Sequence, residues 1–129
     1  MRVALDTNRL TDLFRGDAVL GDLLGKCEMV CVPLPVYAEF KAGLLGGSRK
    51  HENEALLLEF LSMPSVQLIL PSRETAEHYA RLFVQLKTAG TPVPINDLWI
   101  AALSLEHDLT LVTRDLHFQR IPQLLQIES

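Results

Sequence analysis

The sequence predicts an α/β fold: a mostly parallel sheet, strand order 3-2-1-4-5, flanked by helices. Three observations carry that prediction. Short, near-continuous apolar runs recur along the chain, as expected of strands buried on both faces. Segments of helical periodicity stand between them, which is the βαβ pattern. Glycine or proline marks most of the junctions.

Val3-Ala4-Leu5 is the first strand, ended by Asp6. From Thr7 the apolar residues Leu10, Leu13 and Phe14 recur at helical spacing until Gly16. Asp17 caps a second short helix carrying Leu20, Leu23 and Leu24. Glu28 to Val32 is the second strand, stopped by Pro33. Pro35 to Leu45 reads as a helix closed by Gly46-Gly47. Lys50 to Met63 is the next, with Leu56, Leu57, Phe60 and Leu61 expected on one side. Val66 to Leu70 is the third strand. Ser72 then caps a long helix, with Glu74 in its first turn, running to Ala89-Gly90. After a turn at Pro92 and Pro94, Asn96 and Asp97 open a helix that ends near His107-Asp108. Leu109 to Thr113 is the fourth strand, and Leu124 to Ile127 a weak fifth.

The chain has 129 residues, 48% hydrophobic and 22% charged, which is ordinary composition for one domain spanning 1–129. Twelve basic against 16 acidic residues, a net charge of −4, excludes a surface coated for non-specific DNA binding. The longest charge-free run, Phe60 to Ser72, is shorter than the ~20 residues of a membrane span and contains two prolines. Asp6 follows the first apolar residues at once, so no signal peptide is expected and the location expected is cytoplasmic. Cys27 and Cys31 on one strand would lie about 13 Å apart. A disulfide needs Cα atoms within about 7 Å, so both are expected as reduced thiols.

The chemistry lies in where four acids fall. Asp6 ends the first strand and Asp115 follows the fourth, in Thr113-Arg114-Asp115. Asp97 opens the helix before that strand, and Glu39 lies in the helix after the second. Each acid alone has an ordinary reading: N-cap for Asp6 and Asp97, turn residue for Asp115, solvated helix face for Glu39. Together they fit one end of one sheet. In an open parallel sheet that end binds ligands, at the point where strand order reverses. Carboxylates brought together raise one another's pKa, and a hard divalent cation removes the conflict. The pattern therefore points to metal-assisted phosphodiester hydrolysis.

Four motifs then fall in order: Asp6-Thr7-Asn8, Ala38-Glu39-Phe40, Pro94-Ile95-Asn96-Asp97-Leu98-Trp99, and Leu111-Val112-Thr113-Arg114-Asp115-Leu116-His117-Phe118. Spread from Val3 to about Pro122, they resemble the PIN-domain ribonucleases, and among those the VapC-like toxins of toxin–antitoxin pairs. The resemblance implies a Mg²⁺ or Mn²⁺ site and endoribonuclease activity. It implies Asp6, Glu39, Asp97 and Asp115 as the catalytic, metal-holding quartet, with Asn8 and Thr113 supporting it by hydrogen bonds. It also implies an RNA substrate, an antitoxin protein seated in a groove beside the site, and a homodimer. Leu44, Leu45, Leu57 and Leu58 are the expected dimer surface.

Arg9, Arg15, Lys41 and Arg114 lie near the quartet in the chain and are candidates for RNA phosphate contact. His117 has no paired partner visible in the sequence, and metal chemistry makes a histidine base unnecessary. Two other functions stay open here. A phosphoacceptor domain also uses acids and Mg²⁺ on a small parallel sheet, but it needs paired acids after strand one, an acceptor Asp after strand three and a late Lys. This chain has a lone Asp6, Pro71-Ser72 after strand three and no Lys beyond Lys87. A catalytically silent scaffold binding RNA or a partner is opposed only by the presence of all four acids.

Overall fold

The computed structural model describes residues 1–47 and 50–128. In chain order the elements are β1 (Arg2–Leu5), α1 (Thr7–Phe14), α2 (Ala18–Gly25), β2 (Met29–Pro33), α3 (Leu34–Leu45), α4 (Lys50–Leu61), β3 (Val66–Ile69), α5 (Arg73–Ala89), α6 (Ile95–Glu106), β4 (Thr110–Val112) and β5 (Gln126–Ile127). A 3₁₀ helix, Leu116–Arg120, that the sequence pattern did not suggest lies between β4 and β5. The strands form one sheet in the order β3-β2-β1-β4-β5, the order predicted, and every pairing is parallel.

β1 lies at the centre and is buried on both faces, with Val3, Ala4 and Leu5 fully enclosed. Its apolar neighbours Val30, Cys31 and Val32 on β2 and Leu111 and Val112 on β4 are equally buried. Helices cover the faces, and Leu10, Leu20, Val36, Leu57, Leu82, Leu86, Ile100 and Leu103 join the same connected core. Each such side chain contributes about 1.5–3 kcal/mol on burial. α5 packs along α6, where Tyr79 stacks on Trp99 at 4.4 Å between ring centroids. Gly90 ends α5 at φ +72°, a conformation that only glycine adopts at low cost, and Thr91 N–H then donates to Leu86 O at 2.9 Å.

Several expected boundaries shift. Pro33 closes β2 rather than lying beyond it, and serves as the N-cap position of α3. β4 and β5 are shorter than their apolar runs, because Leu109 and Leu124 pack as core residues outside the ladder. Of the four α4 residues expected on one side, Leu57 is buried and Phe60 and Leu61 pack against the core, while Leu56 is exposed. At the start of α5, the Ser72 N–H donates to Thr75 Oγ1 at 2.8 Å, and Thr75 in turn bonds Glu106 on α6. Cys27 precedes β2 and Cys31 lies within it; both are free thiols. Among the described residues no helix is long and apolar enough to cross a membrane.

Candidate metal centre

β1 and β4 pair in parallel with Leu5 opposite Val112, so the residues that follow, Asp6 and Thr113, leave the sheet side by side. Asp6 starts α1 as its N-cap: Oδ1 accepts from Arg9 N–H at 2.9 Å. Its other oxygen, Oδ2, accepts from the Thr113 hydroxyl. The same hydroxyl oxygen accepts from Asp115 N–H at 3.0 Å, so Thr113 ties the first acid to the loop carrying the last. Asp115 caps the 3₁₀ helix, with Oδ1 accepting from His117 N–H at 2.9 Å. Asp97 sits in the first turn of α6, after the N-cap position held by Pro94. Its carboxylate caps nothing and instead meets His117 Nδ1 at 3.0 Å. Glu39 reaches in from α3 and accepts from Thr7 Oγ1 at 3.1 Å.

Asp6, Glu39, Asp97 and Asp115 thus line one small pocket of about 100 Å³, floored by Ile100 and Phe118 and walled by Thr7 and Asn8. The pocket opens at the carboxyl ends of β1 and β4, where the strand order reverses. Burial pushes the Asp6 carboxyl above its ordinary pKa; the Thr113 and Arg9 hydrogen bonds oppose the rise, and the charge of Asp115 adds to it. Burial also raises Asp97, against its bond to His117 and with help from the charges of Asp115 and Glu39. Desolvation outranks the mutual repulsion that the sequence suggested as the cause. Asp97, Asp115 and His117 each place one ligand atom within 4.8 Å of the others. The oxygen-rich donor set, with Asp6 and Asp97 raised by burial and therefore gaining from a nearby positive charge, fits a hard divalent cation.

Other expected residues fall elsewhere. Asn8 lines the pocket but is exposed, and among the described residues it makes no side-chain hydrogen bond; Thr7, one residue earlier, holds Glu39 instead. Arg9 is 1% exposed and bonds Asp12 at 2.9 Å and Asp17 at 3.4 Å, so it is an interior ion pair rather than a phosphate contact. Lys41 is paired with Glu54 at 3.4 Å. Arg15 and Arg114 are exposed beside the site and form no ion pair among the described residues. Sequence reasoning missed Thr7 and set His117 aside for want of a partner. Its partners are Asp97 and Asp115, and the signal was the Asp115-x-His117 spacing, which a single tight turn closes.

With an acidic pocket at the switch point of a 3-2-1-4-5 parallel sheet, the chain belongs to the PIN domain family, whose model matches residues 3–124. Within that family it falls with the VapC ribonucleases. Ribonuclease VapC2 of Rickettsia felis is 31% identical over 105 residues, 81% of this chain and 77% of that protein. Ribonuclease VapC1 of Haemophilus influenzae is 35% identical over 89 residues, 68% of this chain and 65% of that protein. A chain in the crystal structure of VapBC2 from Rickettsia felis, bound to a promoter DNA fragment, superposes with a TM-score of 0.85 at 29% identity, covering 98% of both chains. One in the VapBC-1 structure from nontypeable Haemophilus influenzae gives 0.87 at 25% identity, over 99% of this chain and 98% of that one.

Proposed function

We propose that this chain is the toxin of a toxin–antitoxin pair and hydrolyses RNA at its acidic quartet with a bound Mg²⁺ or Mn²⁺. The observation that carries the reading is the convergence of Asp6, Glu39, Asp97 and Asp115, from four separate elements, on one pocket. Asp6, Asp97 and Asp115 would hold the ion, with Glu39 at the exposed rim. A divalent ion there supplies a more acidic water and stabilises charge developing on a phosphodiester. Thr113 orients Asp6 and the Asp115 backbone together, and Thr7 orients Glu39. Ile100 and Phe118 keep the floor of the pocket apolar, which strengthens electrostatic interactions inside it. Arg15 and Arg114 are free to take phosphates of the incoming strand.

The proposed partner is an antitoxin protein. Among the structurally similar chains, one belongs to a toxin–antitoxin complex from Klebsiella pneumoniae and another to a VapBC toxin–antitoxin system from Mycobacterium tuberculosis. A cleft lined by Thr7, Thr11, Phe14, Arg15, Glu39 and Phe40 runs into the acidic pocket through Thr7 and Glu39. A partner segment seated there would bring a basic side chain to the acids, and arginine matches carboxylates best because its fork is bidentate. We further propose a cytoplasmic homodimer. Of the expected dimer residues, Leu44 and Leu57 belong to the core, while Leu45 and Leu58 are 63% and 68% exposed and remain available.

Incubating the purified chain with single-stranded RNA tests the catalytic proposal. Cleavage is expected with Mg²⁺ or Mn²⁺, lost with chelator and lost in a folded Asp6→Asn variant. Cleavage in chelator, or by Asp6→Asn at the wild-type rate, would overturn the quartet mechanism. No cleavage of any RNA with metal present would favour a silent scaffold.

A further inference from the structure

The quartet leaves one chemically distinctive neighbour unused. His117 is not an acid, yet its Nδ1 points between two of them, 3.0 Å from Asp97 Oδ2 and 3.3 Å from Asp115 Oδ1. Adjacent ligands on an octahedral ion with bonds of about 2.1 Å sit about 3.0 Å apart. The imidazole nitrogen therefore stands to both carboxylates as a neighbouring ligand stands on a shared ion. All three donor atoms fit within 4.8 Å of one another.

Two local features hold the imidazole in that place. The His117 backbone N–H donates to Asp115 Oδ1, so residue 117 is anchored to one of the acids by its main chain as well as its ring. The next residue, Phe118, is buried in the core and fixes the turn. Nδ1 faces the acids, and the ring is 41% exposed, which leaves Nε2 able to donate to water. Binding an ion through Nδ1 would leave the ring proton on Nε2, facing water, as a ligating imidazole keeps its proton on the other nitrogen.

We propose that His117 is a nitrogen ligand of the divalent ion held by Asp97 and Asp115, and that it biases this site toward transition-metal ions over Mg²⁺. This rests on the reading that the pocket binds a divalent ion. The chemistry follows from donor type. Mg²⁺ takes oxygen ligands and holds its waters, whereas Mn²⁺, Co²⁺ and Zn²⁺ accept imidazole readily. A pocket of carboxylates alone would discriminate little between Mg²⁺ and Mn²⁺ by donor type. One imidazole in the set shifts the balance toward Mn²⁺.

Pulsed EPR of the purified protein loaded with Mn²⁺ alone reads the ligand directly. The echo of wild type is expected to carry ¹⁴N modulation, which changes on [¹⁵N]histidine labelling, disappears in His117→Gln and persists in His51→Gln. Titration should show His117→Gln losing at least the roughly 10-fold in Mn²⁺ affinity that even an outer partner of a metal ligand is worth. Its Mg²⁺ affinity should hold within about threefold. Bound Mn²⁺ without histidine-derived modulation, and with affinity unchanged in His117→Gln, would overturn the ligand role and leave the metal reading intact. Failure of wild type to bind Mn²⁺ at millimolar concentration would overturn both. The labelled wild type decides the matter even if the variant folds poorly.

Discussion

Replacing Thr113 with Val removes one hydroxyl of nearly the same shape and tests how the site is held. Thr113 is 4% exposed and Asp6 5%, so water reaches the gap poorly. The hydroxyl donates to Asp6 Oδ2 and accepts from Asp115 N–H at 3.0 Å, and both partners are stranded by the change. A hydrogen bond to a charged group contributes about 1.5–3 kcal/mol, and a stranded buried donor costs about 1–3 kcal/mol. Allowing some rehydration of the less buried Asp115 N–H, the expected loss is about 2–4 kcal/mol in chelator at pH 7. For a chain of this length that is a fall in Tm of roughly 8–16 °C. The loss also has a predictable pH dependence. The Thr113 bond opposes the rise in the Asp6 pKa, so Thr113→Val raises that pKa further. The penalty is then full above the raised value and shrinks as pH falls and Asp6 takes up its proton. Urea unfolding at pH 7 and pH 4.5 measures both. A loss below about 0.5 kcal/mol at pH 7, or a larger loss at pH 4.5, would refute the view that Thr113 holds the charged form of Asp6.

Asp6 and Asp97 have folded-state pKa values raised above an ordinary 3.8. Between that value and the raised ones the folded state binds more protons than the unfolded, so stability of the metal-free protein falls as pH rises through this window. Asp97→Asn should flatten that fall and raise the metal-free Tm at pH 7, and a wild type that gains stability with pH in chelator contradicts it. Leu45→Asp and Leu58→Asp should shift sedimentation toward a 14.4 kDa monomer at micromolar concentration; an unchanged dimer places the interface elsewhere. Arg15→Ala and Arg114→Ala should each weaken RNA binding across sequences, lower the salt dependence of affinity by about one counterion and leave kcat nearly unchanged. A fall in kcat with KM unaltered would give these arginines a different role.

The fold was legible because its central strands, β1, β2 and β4, are buried on both faces. Val3-Ala4-Leu5 and Val30-Cys31-Val32 carry no polar residue, and such runs between helices admit few arrangements. Asp6 and Asp115 were legible for a related reason: an acid directly after a buried parallel strand, or three residues past its end, has a place in the fold that the strand largely dictates. What escaped depends on contacts distant in sequence or on exceptions to a residue's usual habit. His117 meets Asp97 across a separation of 20 residues that α6 and β4 must close. Arg9 is a residue type that is mostly exposed, and its burial follows from Asp12 and Asp17 converging on it. That convergence needs the turn at Gly16, whose φ of +92° suits glycine. Leu44 and Leu57 could not be told from Leu45 and Leu58 by composition, because on each helix one position of rotation decides between core and surface.

Ion binding by the quartet and the cutting of RNA are proposed to be one event. A Mn²⁺ titration of the purified chain, reading metal-induced stabilisation and RNA cleavage rate on the same samples, tests it directly. Binding to the folded site alone stabilises by about 2.7 kcal/mol at 100 times Kd, enough to read as a rise in Tm. Stabilisation and cleavage are expected to rise together with one midpoint in wild type, and both to be lost in a folded Asp97→Asn variant. Cleavage at full rate before any stabilisation, or an Asp97→Asn protein that binds Mn²⁺ and cuts RNA like wild type, would contradict the proposal.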